Sequence, residues 1–378
     1  MIPSQRALFD LPREVTYLNA AYMGPMPRHA AAAGAQSYTD KQQPWTVNAQ
    51  DAFADAPERY RALGARLFGA TADDIAIVPA ASYGLALAAR NLEPDAGSEI
   101  LVLDGQFPSN VYVWQALAER TGAKIRTVSR SDNESWTDAL LAAICLKTAI
   151  VACPHVHWSD GGRVDLPRVS EAARRQGAAL VLDLTQSLGA LPFELDAIQP
   201  DFAVAAGYKW LLGPYSLGLC YIAPHHQESA EPLEENWINR QGSEDFARLV
   251  DYQSAYQPGA RRFDMGERSA FQLVPAGIAC LEQILDWGVD AISATLGVRT
   301  QEIIEAVAPL GLVPATPDRA PHYLGLSLPP DTPGDLVKRL AAEQVYVSQR
   351  GDRLRITPYL YNDETDITRL AEILKVIL

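Results

Sequence analysis

Between residues 75 and 204 six short β-rich runs recur, mostly apolar, separated by turn residues and longer stretches of helical periodicity. They read Ile75-Ala76-Ile77-Val78, Ile100-Leu101-Val102-Leu103, Ile125-Arg126-Thr127-Val128, Ala149-Ile150-Val151-Ala152, Ala179-Leu180-Val181-Leu182 and Phe202-Ala203-Val204. Residues 108–120 and 166–176 are among the helical stretches between them. A connection long enough to carry a helix across a sheet face returns the chain parallel to the strand it left, so this rhythm dictates an α/β fold with a mainly parallel sheet. Ligands of such sheets gather at the carboxyl ends of the strands, which makes the residues just after each run the informative ones.

A chain of 378 residues exceeds the size at which one hydrophobic core stops growing, so two lobes are expected. Residues 228–258 are polar with weak periodicity and read as a connector, which places a boundary near residue 260. Beyond it, 272–287 and 289–307 are helical, while 323–328, 345–348 and 354–357 are strand candidates of a smaller α+β pattern. The alanine-rich 29–35 also reads as helix. The formal charge of −14, with no block of Lys or Arg, makes nucleic acid and anionic membranes poor partners and leaves any anionic ligand to local donors. There is no apolar stretch of the roughly 18 residues a membrane span needs. Residues 1–14 carry Arg6, Asp10, Arg13 and Glu14 and lack the apolar segment of a signal peptide. The four cysteines, Cys145, Cys153, Cys220 and Cys280, form no C-x-x-C pair, which fits a reducing compartment, the cytoplasm, and speaks against a zinc site.

Lys209 stands in Ala206-Gly207-Tyr208-Lys209-Trp210-Leu211-Leu212-Gly213-Pro214, just past the last of the six runs. A lysine amine can form an imine with an aldehyde cofactor, provided burial or a cationic neighbour keeps it neutral. The apolar residues on either side supply burial. The commoner fate of an isolated lysine is to pack its stem, here on Trp210, with the ammonium in water. Asp183 closes the run 179–182, 26 residues before Lys209. A carboxylate there is costly to bury unless it meets a cation or a donor; a protonated pyridine nitrogen is one such partner, and capping a loop or helix is the alternative. Gln186, three residues on, adds a neutral donor and acceptor.

The run 75–78 is followed by Pro79-Ala80-Ala81-Ser82-Tyr83-Gly84, small residues before a helix, whose free N–H groups can grip a phosphate or be capped by Ser82 itself. Phe107, after the run 100–103, either lies against a ring-shaped ligand or packs a helix onto the sheet. The run 149–152 leads into Cys153-Pro154-His155-Val156-His157-Trp158-Ser159-Asp160, where Trp158 reads as a pocket wall. His155 and His157 share a face of an extended segment but lack the nearby ligands of a metal site. Arg353 and Arg355 alternate with Leu354 and Ile356, so both point to one face of a strand, either as solvated edge residues or as forks for a carboxylate.

Taken together, Asp183, Gln186 and Lys209 resemble the class V aminotransferase family of pyridoxal-phosphate enzymes, which includes kynureninases, near its cysteine desulfurase, selenocysteine lyase and isopenicillin-N-epimerase-like branches. The likeness runs through Tyr17-Leu18-Asn19-Ala20-Ala21, the Ala81-Ser82 turn, Val181 to Gly189, Asp201 to Pro214, Arg262-Phe263-Asp264-Met265-Gly266-Glu267, and Leu354-Arg355-Ile356-Thr357-Pro358 with the Tyr361-Asn362 and Asp366 that follow. It implies fold type I: a large cofactor domain over 15–259 with a seven-stranded sheet, and a small α+β domain from 1–14 and 260–378, paired as a homodimer. Carried over by position, Lys209 forms the Schiff base with pyridoxal 5′-phosphate and shuttles the substrate α-proton, and Asp183 pairs with the pyridine nitrogen. Gln186 bonds the phenolic oxygen, Phe107 stacks on the ring, Ala81 and Ser82 hold phosphate with their backbone, and Arg355 binds the substrate carboxylate. Gly266 and Glu267 match a loop that reaches the partner subunit's site.

Five positions depart from the family pattern, four of them near the cofactor: Tyr208 and Ala206 replace a histidine and a serine near the lysine, Phe107 replaces a histidine, and Trp158 falls where an asparagine is frequent. Tyr208 can still donate to the phosphate, whereas Ala206 has no hydroxyl to offer. Glu267 replaces a threonine. Beyond Cys280 there is no cysteine, so the thiolate acceptor of a persulfide-forming desulfurase is missing. The expectation is a pyridoxal-phosphate aminotransferase acting on an amino acid or related amine, with a C–S lyase or an epimerase as the alternative. A nucleotide-binding dehydrogenase would want G-x-G-x-x-G after an early strand, which residues 79–84 do not supply. A noncatalytic relative that keeps the fold as a scaffold is the third reading.

Overall fold

The computed structural model of the protein describes residues 1–378. Its strands are β1 Thr16–Tyr17, β2 Ile75–Val78, β3 Glu99–Leu103, β4 Lys124–Val128, β5 Thr148–Pro154, β6 Ala179–Asp183, β7 Phe202–Ala206, β8 Gly218–Ile222, β9 Val313–Pro314, β10 Leu324–Ser327, β11 Val345–Tyr346, β12 Ser348–Arg350 and β13 Arg353–Ile356. The α-helices are α1 Arg28–Asp40, α2 Ala56–Phe68, α3 Ala81–Asn91, α4 Ser109–Thr121, α5 Trp136–Ala143, α6 Leu166–Arg175, α7 Leu195–Ile198, α8 Pro224–Gln227, α9 Val274–Trp287, α10 Val289–Val307, α11 Leu336–Ala342 and α12 Glu364–Ile377.

The six apolar runs become β2 to β7 of a seven-stranded sheet of order β2-β8-β7-β6-β5-β3-β4. Successive side chains on a strand face opposite ways, and here both faces are covered. Ile77, Leu101, Val151, Leu182 and Ala203 enter one core beside α2, α5 and α6. Ala76, Val102, Ala152, Val181 and Val204 enter a second beside α3 and α4. This is why the central runs are apolar throughout rather than alternating, while β4 at the sheet edge carries Arg126 and Thr127. The seventh strand, β8, lies between β2 and β7 and is antiparallel to both. No helix crosses the sheet between β7 and β8, so the chain can only turn back on itself.

A four-stranded sheet of order β12-β13-β10-β9 forms the smaller lobe. Its core joins Leu324, Leu326, Leu354 and Ile356 to Ile303 of α10 and Leu370 and Leu374 of α12. The run 345–348 divides where one strand was expected. Val345–Tyr346 pairs in parallel with β1, and from Ser348 the chain pairs with β13, so it changes sheets at Val347. The chain start is tied in by Arg6 and Thr16, which donate to Asp366 at 3.1 and 3.0 Å. Helix α9, by contrast, packs on α1 and α2 and completes the core of the large sheet.

Asp160 fastens the two lobes. It is fully buried on the loop after β5 and accepts from Arg130 Nη2 at 2.9 Å, Trp136 Nε1 at 3.1 Å, the Gly162 N–H at 2.8 Å and Arg353 Nη1 of β13 at 3.0 Å. Burial pushes this carboxyl upward, but His157, Arg130 and the Gly162 N–H together hold it well below the usual range, so it stays charged. Gly325 of β10 lies against it: a Cβ there would stand 2.6 Å from Asp160 Cα. The residue 228–258 segment contains only short elements, including Phe246–Arg248 and a bridge between Arg240 and Tyr256, as its weak periodicity suggests. No helix is long and apolar enough to cross a membrane.

Candidate active site

A cavity of about 330 Å³ opens at the carboxyl ends of β2, β3, β5, β6 and β7. Its wall takes Pro79 to Ser82 after β2, Gln106, Phe107 and Ser109 after β3, and Pro154, Val156 and Trp158 at and beyond the end of β5. Asp183, Thr185 and Gln186 follow from β6, Ala206, Tyr208 and Lys209 from β7, and Tyr215 and Ser216 from the turn into β8.

Lys209 is held by its backbone and its neighbours. The Leu212 N–H donates to its carbonyl at 3.1 Å, and the Gly24 N–H donates to the Tyr208 carbonyl at 2.9 Å. Trp210, buried in the core, donates from Nε1 to Gln186 Oε1 at 2.9 Å. Gly24 has no room for a side chain, since a Cβ would stand 2.0 Å from the Lys209 carbonyl oxygen. The lysine side chain is only 8% exposed, and its Nζ stands 5.5 Å from the centre of the Phe107 ring and 5.6 Å from that of Tyr208. Burial lowers its pKa to about 8; Asp183 opposes the drop, while the positive charges of Arg355 and Arg350 add to it. Half of the amine is therefore neutral near pH 8, where an ordinary lysine is almost wholly charged.

Asp183 is buried and accepts from the Thr185 N–H at 2.9 Å through Oδ1, while Thr185 Oγ1 accepts from the Ala206 N–H at 3.2 Å. This pair locks the ends of β6 and β7 together, 21 residues apart in sequence, with the carboxylate facing the cavity. Gln186 donates to the Ala21 carbonyl at 3.2 Å while accepting from Trp210, which leaves one amide hydrogen for a ligand. Helix α3 begins at the cavity with no side-chain cap. The N–H groups of Ala81 and Ser82 find no acceptor in the chain, so the turn is open to an anion and Ser82 does not cap it. Burial, with Tyr215 beside it, raises the Tyr208 phenol, which keeps it a donor.

Phe107 and Trp158 meet edge to face at 5.4 Å, and Trp158 Nε1 donates to the Gly105 carbonyl at 2.7 Å. Both therefore form one aromatic wall. Arg355 does not line the cavity. It is buried on β13, where Nε donates to Ser348 Oγ at 2.8 Å and Nη1 to the Trp158 carbonyl at 3.2 Å and the Tyr323 hydroxyl at 3.3 Å. All its partners are neutral. Arg353 does share its face, but it pairs with Asp160 and Asp352. Gly266 and Glu267 stand outside the cavity wall, the former donating its N–H to Glu234 at 2.7 Å and the latter exposed.

His155 and His157 do not act as a pair. Burial lowers His155 to about 3, while His157 stacks on Trp136 at 4.7 Å and bonds Ser159 and the Asp104 carbonyl. Cys153, Cys220 and Cys280 are buried with thiols pushed up to about 12, and none of the four cysteines lines the cavity. One cluster of metal-ligand type was overlooked in the sequence: His225 and His226 both meet Asp201 Oδ1, at 3.1 and 2.9 Å. It sits at the opposite ends of the strands from the cavity. Gln106, Thr185, Tyr215 and Ser216 were also missed as wall residues. Tyr215 and Ser216 reach the site only because β8 runs antiparallel, and no local pattern marks that.

The family model for aminotransferase class-V matches residues 17–370. A kynureninase of Burkholderia mallei (strain SAVP1) is 30% identical over 397 residues, 99% of this chain and 91% of that protein. A kynureninase of Deinococcus radiodurans is also 30% identical, over 71% of this chain and 65% of its own length. An isopenicillin N epimerase of Amycolatopsis lactamdurans is 27% identical over 98% of this chain and 97% of its own. Among solved structures, a mutant of C-DES with glycine covalently linked to its pyridoxal-phosphate cofactor superposes with a TM-score of 0.88 at 20% identity, over 99% and 100% of the two chains. The apo cysteine desulfurase of Thermococcus onnurineus NA1 gives 0.86 at 19% identity, over 100% and 99%. With the match spanning nearly all of its length, the chain belongs to the aminotransferase class-V family of pyridoxal-phosphate enzymes.

Proposed function

We propose that this protein binds pyridoxal 5′-phosphate at Lys209 and uses it to move the amino group of an amino acid or related amine. The observation that carries this reading is a buried lysine with its pKa lowered to about 8, in one cavity with the Asp183 carboxylate and the uncapped start of α3. These residues fit the cofactor by donor chemistry: an amine for the aldehyde, a carboxylate for the pyridine nitrogen, and free N–H groups of Ala81 and Ser82 with the Tyr208 hydroxyl for the phosphate. Phe107 and Trp158 give the ring an aromatic wall, and Gln186 has one amide hydrogen for the phenolic oxygen. When bound, the cofactor supplies an electron sink that weakens the bonds to the substrate α-carbon.

The chain's own contribution is placement and proton handling. Lys209 would take the substrate α-proton at Nζ and return it, which its lowered pKa permits near neutral pH. Asp183, held by the Thr185 N–H, keeps a positive charge on the pyridine nitrogen. Arg355, with Nη2 uncommitted, receives the substrate carboxylate. A homodimer in which Gly266 and Glu267 reach the partner's site and a large domain over 15–259 belong to the same reading and rest on the family likeness, with α9 packed on the large domain although it lies beyond 259; the cytoplasmic setting rests on the unpaired cysteines.

Amino transfer is supported by the likeness to the uncharacterized aminotransferase YcbU of Bacillus subtilis, 26% identical over 80% of this chain. A second reading, C–S cleavage or epimerisation, is favoured by the fold of the cystine C-S lyase C-DES and by the epimerase relatives. The absence of any cysteine in the cavity leaves the protein no sulfur acceptor of its own. Two experiments test these statements. Purified protein should take up the cofactor and turn yellow, and Lys209→Ala should abolish covalent attachment measured by mass after borohydride reduction. Incubation with amino donors and pyruvate or 2-oxoglutarate then separates the branches: keto-acid amination supports transfer, and donor-only release of pyruvate or thiol supports a lyase.

A further inference from the structure

Strands β12 and β13 pair with Ser348 opposite Arg355 and Arg350 opposite Arg353, so these four side chains share one face of the small sheet. That face meets the loop carrying Trp158 and Asp160. The three arginines on it are treated differently. Arg353 is paired with two carboxylates, Asp160 at 3.0 Å, which it shares with Arg130, and Asp352 at 3.7 Å. Arg355 is gripped by Ser348, Tyr323 and the Trp158 carbonyl and keeps its charge for a ligand. Arg350 has no carboxylate partner in the chain; its Nη1 donates only to the neighbouring Gln349 carbonyl at 2.7 Å, and its guanidinium lies 5.4 Å from the centre of the Trp158 ring. It is half-buried, so its charge is partly desolvated, and Trp158 is itself a wall of the cavity.

Two uncompensated guanidinium groups beside one ligand cavity, in a chain of net charge −14, call for more negative charge than a single α-carboxylate brings. We propose that Arg350 is a specificity residue that receives a second anionic group, on the side chain of an amino-acid substrate whose α-carboxylate lies on Arg355. The preferred substrates are then amino acids with an acidic side chain. This inference rests on the cavity being an amino-acid site of the kind proposed above. Burial and the like charge of Arg355 both disfavour the charged form of Arg350, a cost that an incoming anion relieves. The Trp158 ring, its centre 5.4 Å from the guanidinium, holds the cation near the cavity wall.

The test is calorimetric titration of the cofactor-loaded protein with glutarate and with glutaramate, which has nearly the same shape and one charge fewer. A charge-assisted contact predicts glutarate to bind about tenfold or more tightly, a preference that shrinks with added salt. Arg350→Gln should bring the two ligands to within about twofold, and Arg350→Lys should keep part of the difference. The ratio of kcat/KM for L-2-aminoadipate over L-norvaline should fall with the same variants. Equal binding of the two ligands by the wild type, no binding of glutarate, or a preference that survives Arg350→Gln overturns the proposal. So does a variant that changes only the dissociation of subunits, since Arg350 would then be answering a partner's carboxylate. Failure to take up the cofactor is read separately, from the absorbance, and removes the functional reading and this inference with it.

Discussion

Replacing Lys209 by methionine should stabilise the cofactor-free protein at neutral pH. Nearly all of the lysine side chain is out of water, and its pKa falls from the ordinary 10.5 to about 8. That drop corresponds to roughly 3 kcal/mol of cost for keeping the ammonium in the folded state. The sign follows from proton counting. Below pH 8 both folded and unfolded chains hold the proton and the full cost is present. Between about 8 and 10.5 the unfolded chain binds more protons than the folded one, so stability rises with pH; above 10.5 the cost is gone. Lys209→Met, of similar volume and without charge, escapes the cost throughout. In urea titrations of cofactor-free protein at pH 7, the variant should therefore be more stable by about 3 kcal/mol, and the gap should close by most of that amount as the pH approaches 10. The rate at which wild-type protein captures the cofactor should rise with pH through a midpoint near 8. A variant no more stable than wild type at pH 7, or a gap that stays constant to pH 10, would refute the claim that desolvation activates this amine.

Asp160→Asn should destabilise the protein by about 3 kcal/mol in denaturant titration, because the buried Arg130 side chain is left without a counter-charge while Arg353 keeps only Asp352, at 3.7 Å; an effect under about 1 kcal/mol would show that Arg130 finds another partner. Gly24→Ala should leave the circular dichroism of the fold intact yet weaken cofactor binding at least tenfold, since its Cβ would displace the Lys209 backbone; the measurement is absorbance titration with pyridoxal 5′-phosphate. Native protein treated with iodoacetamide should be modified at Cys145 alone, without loss of turnover, because the other three thiols are buried and pushed up to about 12. Rapid labelling of Cys153, or inactivation by the reagent, would contradict this.

The large sheet and the ends of its strands were legible in the chain because both rest on local pattern. A run such as Ala179-Leu180-Val181-Leu182 is apolar throughout only if a strand is covered on both faces, and the polar residue that closes it, Asp183, is then placed at the ligand edge. Lys209 and the Ala81-Ser82 turn follow by the same logic. The direction of β8 was not legible, since Gly218-Leu219-Cys220-Tyr221-Ile222 has the same apolar character as its parallel neighbours and differs only in the connection that precedes it. Nor was the division of 345–350 between two sheets, which depends on a strand from the chain start, Thr16–Tyr17, claiming the first two residues.

By itself, then, the sequence determined the sheet, the order of its strand-end residues and the family to which they point, all of which depend on periodicity and on spacing along the chain. Tertiary structure decided which charges meet. Arg353 and Arg355 are equivalent on a strand drawn from sequence, yet one is paired with carboxylates, Asp160 from the loop after β5 and Asp352, and the other is held by neutral groups. Lys209 is a reactive amine only because a cavity excludes water from it and because Arg350 and Arg355, more than 140 positions away, lie within electrostatic range. Solvent exclusion and Coulomb interaction act through space, so a pKa near 8 is a property of the folded arrangement that no spacing along the chain can express.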